Sequence, residues 1–582
     1  MPLHSEARRW TWVESAVLAG YAIVVALGIA WHEPWADEAQ AWLLARDQGF
    51  WHLMLHAVRY EGSPGLWHAL LWVLARLHVS YVGMHWVSGA IAAAGVFVLL
   101  RWSPFPLVLR ALLPFGFWLA YQNAVVARSY VLFAVLAFSA AAVLRAIARG
   151  IAPGDGTSRV DSRRLLWLAV ILGLMANLSV HGFVASLGFA LATLSVLRRR
   201  ARAGVPLRRT IPAWVLCCFW IFAVATTAPP SDVDFAAGKN LERLTEKIWA
   251  SFGNKEAKAE LAAGSSNTND VRPGELAPAP PLVFHRTPRE ALWRKFARVL
   301  ALFTYPISNF RWLALAVCVL VVVQAVAFRS GPGSAQLGWI GLMPWALMVL
   351  VFTSMYLAPR HAGMLWEALV ATLWLTWPET GPETGPEEDS AKTGSMTARR
   401  LWLHRITVAA LVLVALDQVW WTAHSVWRDV HEPYSGDAAM AKFLESQAPG
   451  KRVAGFYYHT VGPAAYIGHE FGHAVYFNQP TAYWIWSRGL RTDQEAPATI
   501  ATHPDVIVVG RFDWNARNGN ITDDWIAPDL AELNPVPLNE VYGIIPYAKA
   551  HGYRETHRFC GHTFMRDGFS ESMCQIALEP MQ

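Results

Sequence analysis

The sequence is poor in charged residues. Asp, Glu, Lys and Arg make up 16% of its 582 residues, whereas about 25% is usual for a soluble globular protein. The formal net charge is only +6, and no long basic tract or aromatic RNA-binding motif accompanies it. The low charge therefore argues against a soluble protein, and the missing basic tract argues against nucleic acid as a partner.

Cysteine is also scarce. The five cysteines form no CxxC pair, so nothing suggests a zinc site built from such pairs. Cys560 and Cys574 lie near the C-terminus, where a disulfide is chemically permitted if that end is extracytoplasmic. Two buried thiols explain the same spacing, and the sequence leaves both alternatives open.

Long apolar runs are abundant, since 54% of the residues are hydrophobic and 30 are Trp. A helix needs about 20 apolar residues to cross a bilayer, and the first run, Trp10 to Ala30, follows Arg8 and Arg9 directly. Ten further runs predict a multi-span α-helical membrane protein with about eleven transmembrane helices. These runs occupy residues 84–100, 111–126, 131–147, 165–179, 182–197, 211–228, 311–328, 337–356, 362–377 and 403–421.

The run from Pro64 to Leu77 is too short for a span, and we expect a re-entrant or interfacial helix there. With this choice the arginine-rich loops face the cytoplasm, as the positive-inside rule prefers. The chain then lies in the cell inner (plasma) membrane. Its first extracytoplasmic loop covers residues 31–83, and a second large outer loop covers 229–300.

Two boundaries divide the chain. Residues 1–421 form the predicted membrane domain, and residues 422–582 form a soluble extracytoplasmic α/β domain. The stretch 378–400 is rich in Pro, Gly and Glu, which predicts a disordered cytoplasmic linker.

The α/β prediction for the C-terminal part depends on its changing periodicity. Period-two apolar runs at 452–458 and 506–509 predict strands, and the pattern at 437–445 predicts a helix. Residues 554–578 are typical of paired strands, which would bring Cys560 and Cys574 close together.

An acidic pair, Asp37 and Glu38, directly follows the first span and begins an amphipathic helix. One interpretation is structural, because acids at a helix start satisfy free N–H groups and the macrodipole. The other is functional. Trp35 and Trp42 flank the pair at the membrane boundary, where a carboxylate costs free energy unless it is solvated, paired or used.

Further motifs follow this pair in order: SPGLW at 63–67, ARSY at 127–130 and YLAPRH at 356–361. With Asp37-Glu38 in the first outer loop, this series resembles the GT-C superfamily of polytopic glycosyltransferases. The likeness is to the group of protein O-mannosyltransferases and lipid A aminoarabinose transferases, and it covers roughly residues 10–380. The chain departs from that group at Gly65, where the second proline of the motif is expected, and it lacks the preceding lysine.

The resemblance implies a GT-C-like membrane domain that moves a sugar from a polyprenyl-phosphate donor to an acceptor hydroxyl, with inversion. The acceptor is a glycan, lipid or protein on the extracytoplasmic face. Asp37 would be the general base, and Glu38 would orient it or the acceptor. The residues implied for the donor phosphate are Arg128, Tyr130, Arg360 and His361. Both arginines also fit a second interpretation, in which they extend from span ends toward the membrane surface.

Other polar residues are lesser candidates. Glu61, Pro64 and His181 are candidates for the substrate cavity. Asp232 and Asp234 form a D-x-D that could bind a divalent ion if a third ligand converged, so the metal requirement stays unknown.

Two different functions compete with glycosyl transfer. A polytopic transporter predicts repeated halves and midplane charges, and the sequence has neither. A non-catalytic envelope assembly protein would use the C-terminal domain as a binding module.

Overall fold

The computed structural model is mainly helical and carries one small sheet near the C-terminus. It describes residues 10–149, 162–202, 211–233, 304–327, 337–354, 361–378, 390–467, 474–487, 496–515, 544–564 and 570–581. Most of the predicted second outer loop, with Asp234, lies outside these residues, as does Arg360.

Five helices within this described part are long and apolar enough to cross a membrane. They are Trp12–Trp31, Met84–Trp102, Val131–Arg149, Val180–Arg199 and Arg400–His431. Shorter apolar helices accompany them, namely Leu66–Arg76, Ile211–Thr227, Arg311–Ala327, Gly338–Val351 and Ala362–Thr376. The chain is therefore a multi-span helical membrane protein, as predicted, while the count of about eleven spans stays a prediction.

The first predicted outer loop is itself helical. Its elements are Ala36–Asp47, Phe50–His52, a π-helical turn Leu53–Ala57, Val58–Tyr60 and Leu66–Arg76. The last of these has 11 residues and is about 16 Å long at 1.5 Å per residue. A hydrocarbon core is about 30 Å thick, so this helix is too short to cross, in agreement with the prediction.

The predicted span at 111–126 is not one continuous helix. It is divided into Leu107–Leu112, a 3-10 turn Leu113–Phe115 and a π-helical turn Trp118–Gln122. Pro114 lacks a backbone N–H and Gly116 is extended, so the helical hydrogen-bond ladder cannot continue through them. The apolar run correctly indicated burial but wrongly indicated a straight span.

The last long helix extends over Ser390–His431, so the second half of the predicted linker at 378–400 lies in a helix. The linker and the domain boundaries stay predictions. Residues 379–389 lie outside the described part. The same helix also continues past the predicted domain boundary at 421/422 and ends beside the first loop.

The C-terminal part contains a four-stranded sheet, as the period-two patterns predicted. The strands are β1 (Val453–Phe456), β2 (Val506–Asn515), β3 (Tyr553–Phe564) and β4 (Ser570–Pro580). Their order is β1-β2-β4-β3. Strands β1 and β2 are parallel, and the β2–β4 and β4–β3 pairs are antiparallel. The helices Asp437–Gln447, Val461–Ile467, Ala496–Ala501 and Ile544–Ala550 accompany the sheet.

Strand pairing settles the cysteine alternatives. Cys560 of β3 lies directly opposite Cys574 of β4, and the two form a disulfide. This covalent bond joins the two C-terminal strands of the sheet.

Candidate functional site

Asp37 and Arg128 form an ion pair at the adjoining ends of two helical segments. Asp37 lies in the first turn of Ala36–Asp47, which follows the first span after a short extended stretch. Arg128 lies in the turn that precedes Val131–Arg149. The Arg128 Nη1 atom donates to Asp37 Oδ2, and the two side chains are 20% and 11% exposed. The pair is therefore sheltered but accessible to solvent.

Glu38, the second acid of the pair, points into the protein and is fully buried. Its Oε1 atom accepts from the Ala127 backbone N–H at 2.5 Å and faces His85 Nε2 at 2.8 Å. Its Oε2 atom accepts from the Trp35 backbone N–H at 3.2 Å. These bonds occupy the carboxylate on both oxygens and leave no face for an acceptor. Of the two roles implied for Glu38, the geometry favours orienting Asp37.

His32 continues this buried network. Its Nε2 lies 3.4 Å from Glu38 Oε2, and its Nδ1 lies 3.4 Å from Asp429 Oδ2. Burial alone would lower the pKa of His32, but the two carboxylates raise that pKa to about 10. Burial alone would raise the pKa of Glu38, but the His85 charge and the two histidine hydrogen bonds hold it below its usual range. His32 and Glu38 therefore carry opposite charges at neutral pH.

The same cluster has the geometry of a metal site, because one ligand atom from each of His32, Glu38 and His85 lies within 4.8 Å of the others. A metal needs a deprotonated ring nitrogen from each histidine. His85 instead has oxygens at both nitrogens, Glu38 Oε1 at 2.8 Å and the Val82 carbonyl at 3.2 Å. The His85 ring thus lies between two oxygen acceptors, and His32 Nε2 lies 3.4 Å from Glu38 Oε2. We assign these three nitrogens as hydrogen-bond donors.

Three sequence-predicted residues extend from Arg128 in a row. The Arg128 guanidinium carbon lies 5.2 Å from the centre of the Tyr130 ring. The Tyr130 ring meets the His361 ring edge-on at 5.5 Å, and His361 lies 4.8 Å from the His181 ring. The fold thus brings Asp37, Arg128, Tyr130, His361 and His181 into one continuous set of contacts.

Glu61 directly follows the short helix Val58–Tyr60 and lies close enough to Asp37 and Arg128 for their charges to act on it. Its Oε1 accepts from Gln40 Nε2 at 2.8 Å. Loss of hydration raises the pKa of Glu61 to about 7; the Asp37 charge also raises it, whereas Gln40 and Arg128 lower it. Glu61 is therefore a carboxyl that changes charge near neutral pH beside Asp37.

Pro64 is buried at the start of the short helix Leu66–Arg76, and it contributes packing to this part of the loop. At Gly65, where the motif departs, an added Cβ atom would lie too close to the terminal methyl and sulfur of Met54. These atoms are the far end of a flexible side chain, so Met54 would have to move to admit a second proline.

Asp232 has hydrogen-bonding partners of its own. Both of its carboxylate oxygens lie 3.0 Å from the Tyr60 hydroxyl, and the Ser487 hydroxyl donates to Oδ2 at 2.7 Å. These bonds join the first loop to the C-terminal domain. With Asp234 outside the described residues, the D-x-D metal site stays untested.

Sequence patterns did not identify the contribution of the C-terminal domain. The Tyr458 hydroxyl donates to Asp37 Oδ1 at 2.8 Å, and Trp484 exchanges two hydrogen bonds of 2.8 Å with the Gln40 amide. The Ala438 backbone N–H donates to Glu33 Oε1 at 2.9 Å. The strand pattern at 452–458 placed Tyr458 at a strand end and carried no signal for the carboxylate it meets. His32, His85 and Asp429 were missed for the same reason, since their partners are remote in sequence.

Among known proteins, the chain has its likeness in solved structures. No family model and no curated protein matches the chain. The crystal structure of ArnT from Cupriavidus metallidurans bound to undecaprenyl phosphate aligns with 96% of this chain and 97% of that chain. The TM-score is 0.47 and the sequence identity is 9%. The likeness is one of fold, and the roles of the site residues are assigned from this chain's own contacts.

Replacing Glu38 with Gln should strongly destabilise the protein. The amide NH₂ must face one of the buried donors that now point at the carboxylate, and the histidines lose their counter-charge. We expect a loss on the order of 3–5 kcal/mol in the free energy of unfolding, read as a lower thermal midpoint in detergent. The control Glu432→Gln removes a more exposed ion pair with Arg428 and should cost no more than about 1 kcal/mol. Equal effects of the two variants would contradict the network.

Replacing Glu61 with Gln should stabilise the protein more at pH 8 than at pH 5.5. Folding raises the pKa of Glu61 from about 4.3 to about 7, so the folded state retains a proton that the unfolded state releases. Stability from this group therefore falls as pH rises between those values, and Gln carries no such penalty. Thermal midpoints at the two pH values test this, with exposed Glu445→Gln as the control. A shift that is the same at both pH values would count against the assignment.

Proposed function

We propose that the chain is a membrane glycosyltransferase. It moves a sugar from a polyprenyl-phosphate donor to an acceptor hydroxyl of a glycan, lipid or protein on the extracytoplasmic face. The observation that supports this most directly is the sheltered Asp37–Arg128 ion pair at the end of the first span, which combines a base with a phosphate-binding cation. Tyr130 and His361 adjoin the cation.

Asp37 is the proposed general base. A sugar on a polyprenyl phosphate already carries its leaving group, so the enzyme must activate the acceptor and stabilise the charge that develops. An Asp37 carboxylate oxygen takes the proton of the acceptor hydroxyl while the acceptor oxygen bonds to the anomeric carbon. The bond from that carbon to the phosphate oxygen breaks at the same time. A single displacement of this kind inverts the anomeric centre.

Arg128 is the proposed partner of the departing phosphate. A guanidinium offers several N–H donors in a fork that matches phosphate oxygens. Before the donor binds, Arg128 is paired with Asp37; the donor phosphate then competes for the guanidinium and leaves the carboxylate able to accept a proton. Tyr130 and His361 border the same phosphate position, and Arg360 is proposed to supply a second cation there.

Asp37→Asn tests the proposal in cells. An amide cannot take the acceptor proton, and loss of a general base slows transfer by about 10²- to 10⁴-fold. Mass spectrometry of envelope glycans and glycolipids should show a sugar-bearing species that disappears on deletion of the gene. Wild-type protein should restore this species and the Asp37→Asn variant should not.

The matched control is Asp505→Asn, which changes an exposed aspartate of the sheet domain and should restore the species fully. Restoration by Asp37→Asn at wild-type levels would refute the general base and favour a transporter or an assembly protein. An unchanged glycan profile after deletion, under conditions that induce the gene, would overturn the proposal as a whole.

A further inference from the structure

Strand β1 of the C-terminal domain ends in an unusual backbone turn. After Phe456 the chain passes through Tyr457, with φ 73° and ψ 158°, a conformation that side-chain-bearing residues rarely adopt. The next residues, Tyr458–Thr460, form a 3-10 turn that leads into the helix Val461–Ile467. Conformations of this kind are strained and persist where the surrounding structure enforces them, often at functional sites.

Because of this turn, the Tyr458 side chain points away from the sheet domain and toward the first loop. Its hydroxyl donates to Asp37 Oδ1 at 2.8 Å, on the oxygen opposite the one that Arg128 contacts. The Tyr458 ring packs against the Trp486 ring with their centres 4.9 Å apart. Two contacts therefore hold the Tyr458 side chain in place. The Asp37 carboxylate binds its hydroxyl, and Trp486 packs against its ring.

We propose that Tyr458 is a positioning residue for the general base, so that the C-terminal domain completes the active site. This inference rests on the proposed function, because it gives Tyr458 a purpose only if Asp37 is the base. Tyr458 touches Asp37 and acts through it.

The chemistry requires a second group on Asp37. When the donor phosphate draws Arg128 away, the carboxylate loses one of the partners that fix its rotamer. Tyr458 then keeps the Oδ1 side anchored, and the lone pairs of Oδ2 turn to the acceptor hydroxyl. Burial and the Asp37 charge raise the pKa of Tyr458, so its hydroxyl stays protonated and can only donate to the carboxylate.

The domain is docked firmly enough to hold this geometry. The Tyr466 hydroxyl donates to the Pro34 carbonyl at 3.1 Å, three residues before Asp37, and Gln48 donates to the Tyr483 hydroxyl at 2.6 Å. Together with the Gln40–Trp484 exchange, these bonds tie both ends of the helix that carries Asp37 to the sheet domain.

Tyr458→Phe in the full-length protein tests the inference. The change removes one hydroxyl and keeps the ring that packs on Trp486. With purified protein, polyprenyl-phosphate sugar and acceptor from the strain in which transfer is detected, we expect kcat to fall by about 10- to 100-fold, the effect of losing one hydrogen bond to a charged group. The donor KM should stay at its wild-type value, and the thermal midpoint should fall no further than in the control variant Tyr466→Phe.

Tyr466→Phe is the matched control, because it deletes one interdomain hydrogen bond of the same kind that does not reach Asp37. It should retain wild-type kcat. Equal losses of kcat in both variants, or a clearly lower thermal midpoint in Tyr458→Phe than in Tyr466→Phe, would reduce Tyr458 to a docking residue and overturn the inference. If wild-type protein transfers sugar, Asp37→Asn does not, and Tyr458→Phe matches wild type, this inference fails while the proposed function stands. If wild-type protein transfers nothing, both fail.

Discussion

The buried carboxylate of Glu38 is the constraint on which the candidate site depends. An ionised acid inside a protein costs several kcal/mol unless its oxygens are bonded, and here both oxygens meet buried donors. One of those donors is the backbone N–H of Ala127, the residue before Arg128. Because Glu38 follows Asp37 in the chain, this single bond places the Asp37 and Arg128 side chains opposite each other. Their ion pair is a consequence of the buried network beside it.

That network also connects the first loop to the last long helix and to the broken helical segment. His32 lies between Glu38 and Asp429, and Asp429 is near the end of the helix Ser390–His431. Tyr121 belongs to the broken helical segment, and its hydroxyl donates to Asp429 at 3.0 Å. The break at Pro114 and Gly116, which disturbs the predicted span, belongs to the segment that delivers Tyr121 to this position. The C-terminal domain then closes over the other side of the first loop. The carboxylate of Asp37 lies where these parts converge.

The motifs that led to the site were informative for a physical reason. Asp37, Arg128, Tyr130 and His361 stand near the ends of apolar segments, where polar side chains are rare and costly unless they are used or paired. Glu38 is equally prominent in the sequence, but because its side chain is buried we infer that it holds the network beside Asp37 in place. Gly65 interrupts the expected motif, and in the fold it lies against the end of the Met54 side chain.

Local information in the sequence was sufficient for the membrane class, for most helix positions and for the strands near the C-terminus, because apolar length and periodicity express which face of a segment is buried. It also indicated which polar residues were unusual. The partners of those residues depended on the tertiary structure. Tyr458 meets Asp37 across a sequence separation of 421 residues, and Cys560 became a disulfide partner of Cys574 through strand register. Contacts of this kind arise from packing and leave no periodic trace in the chain.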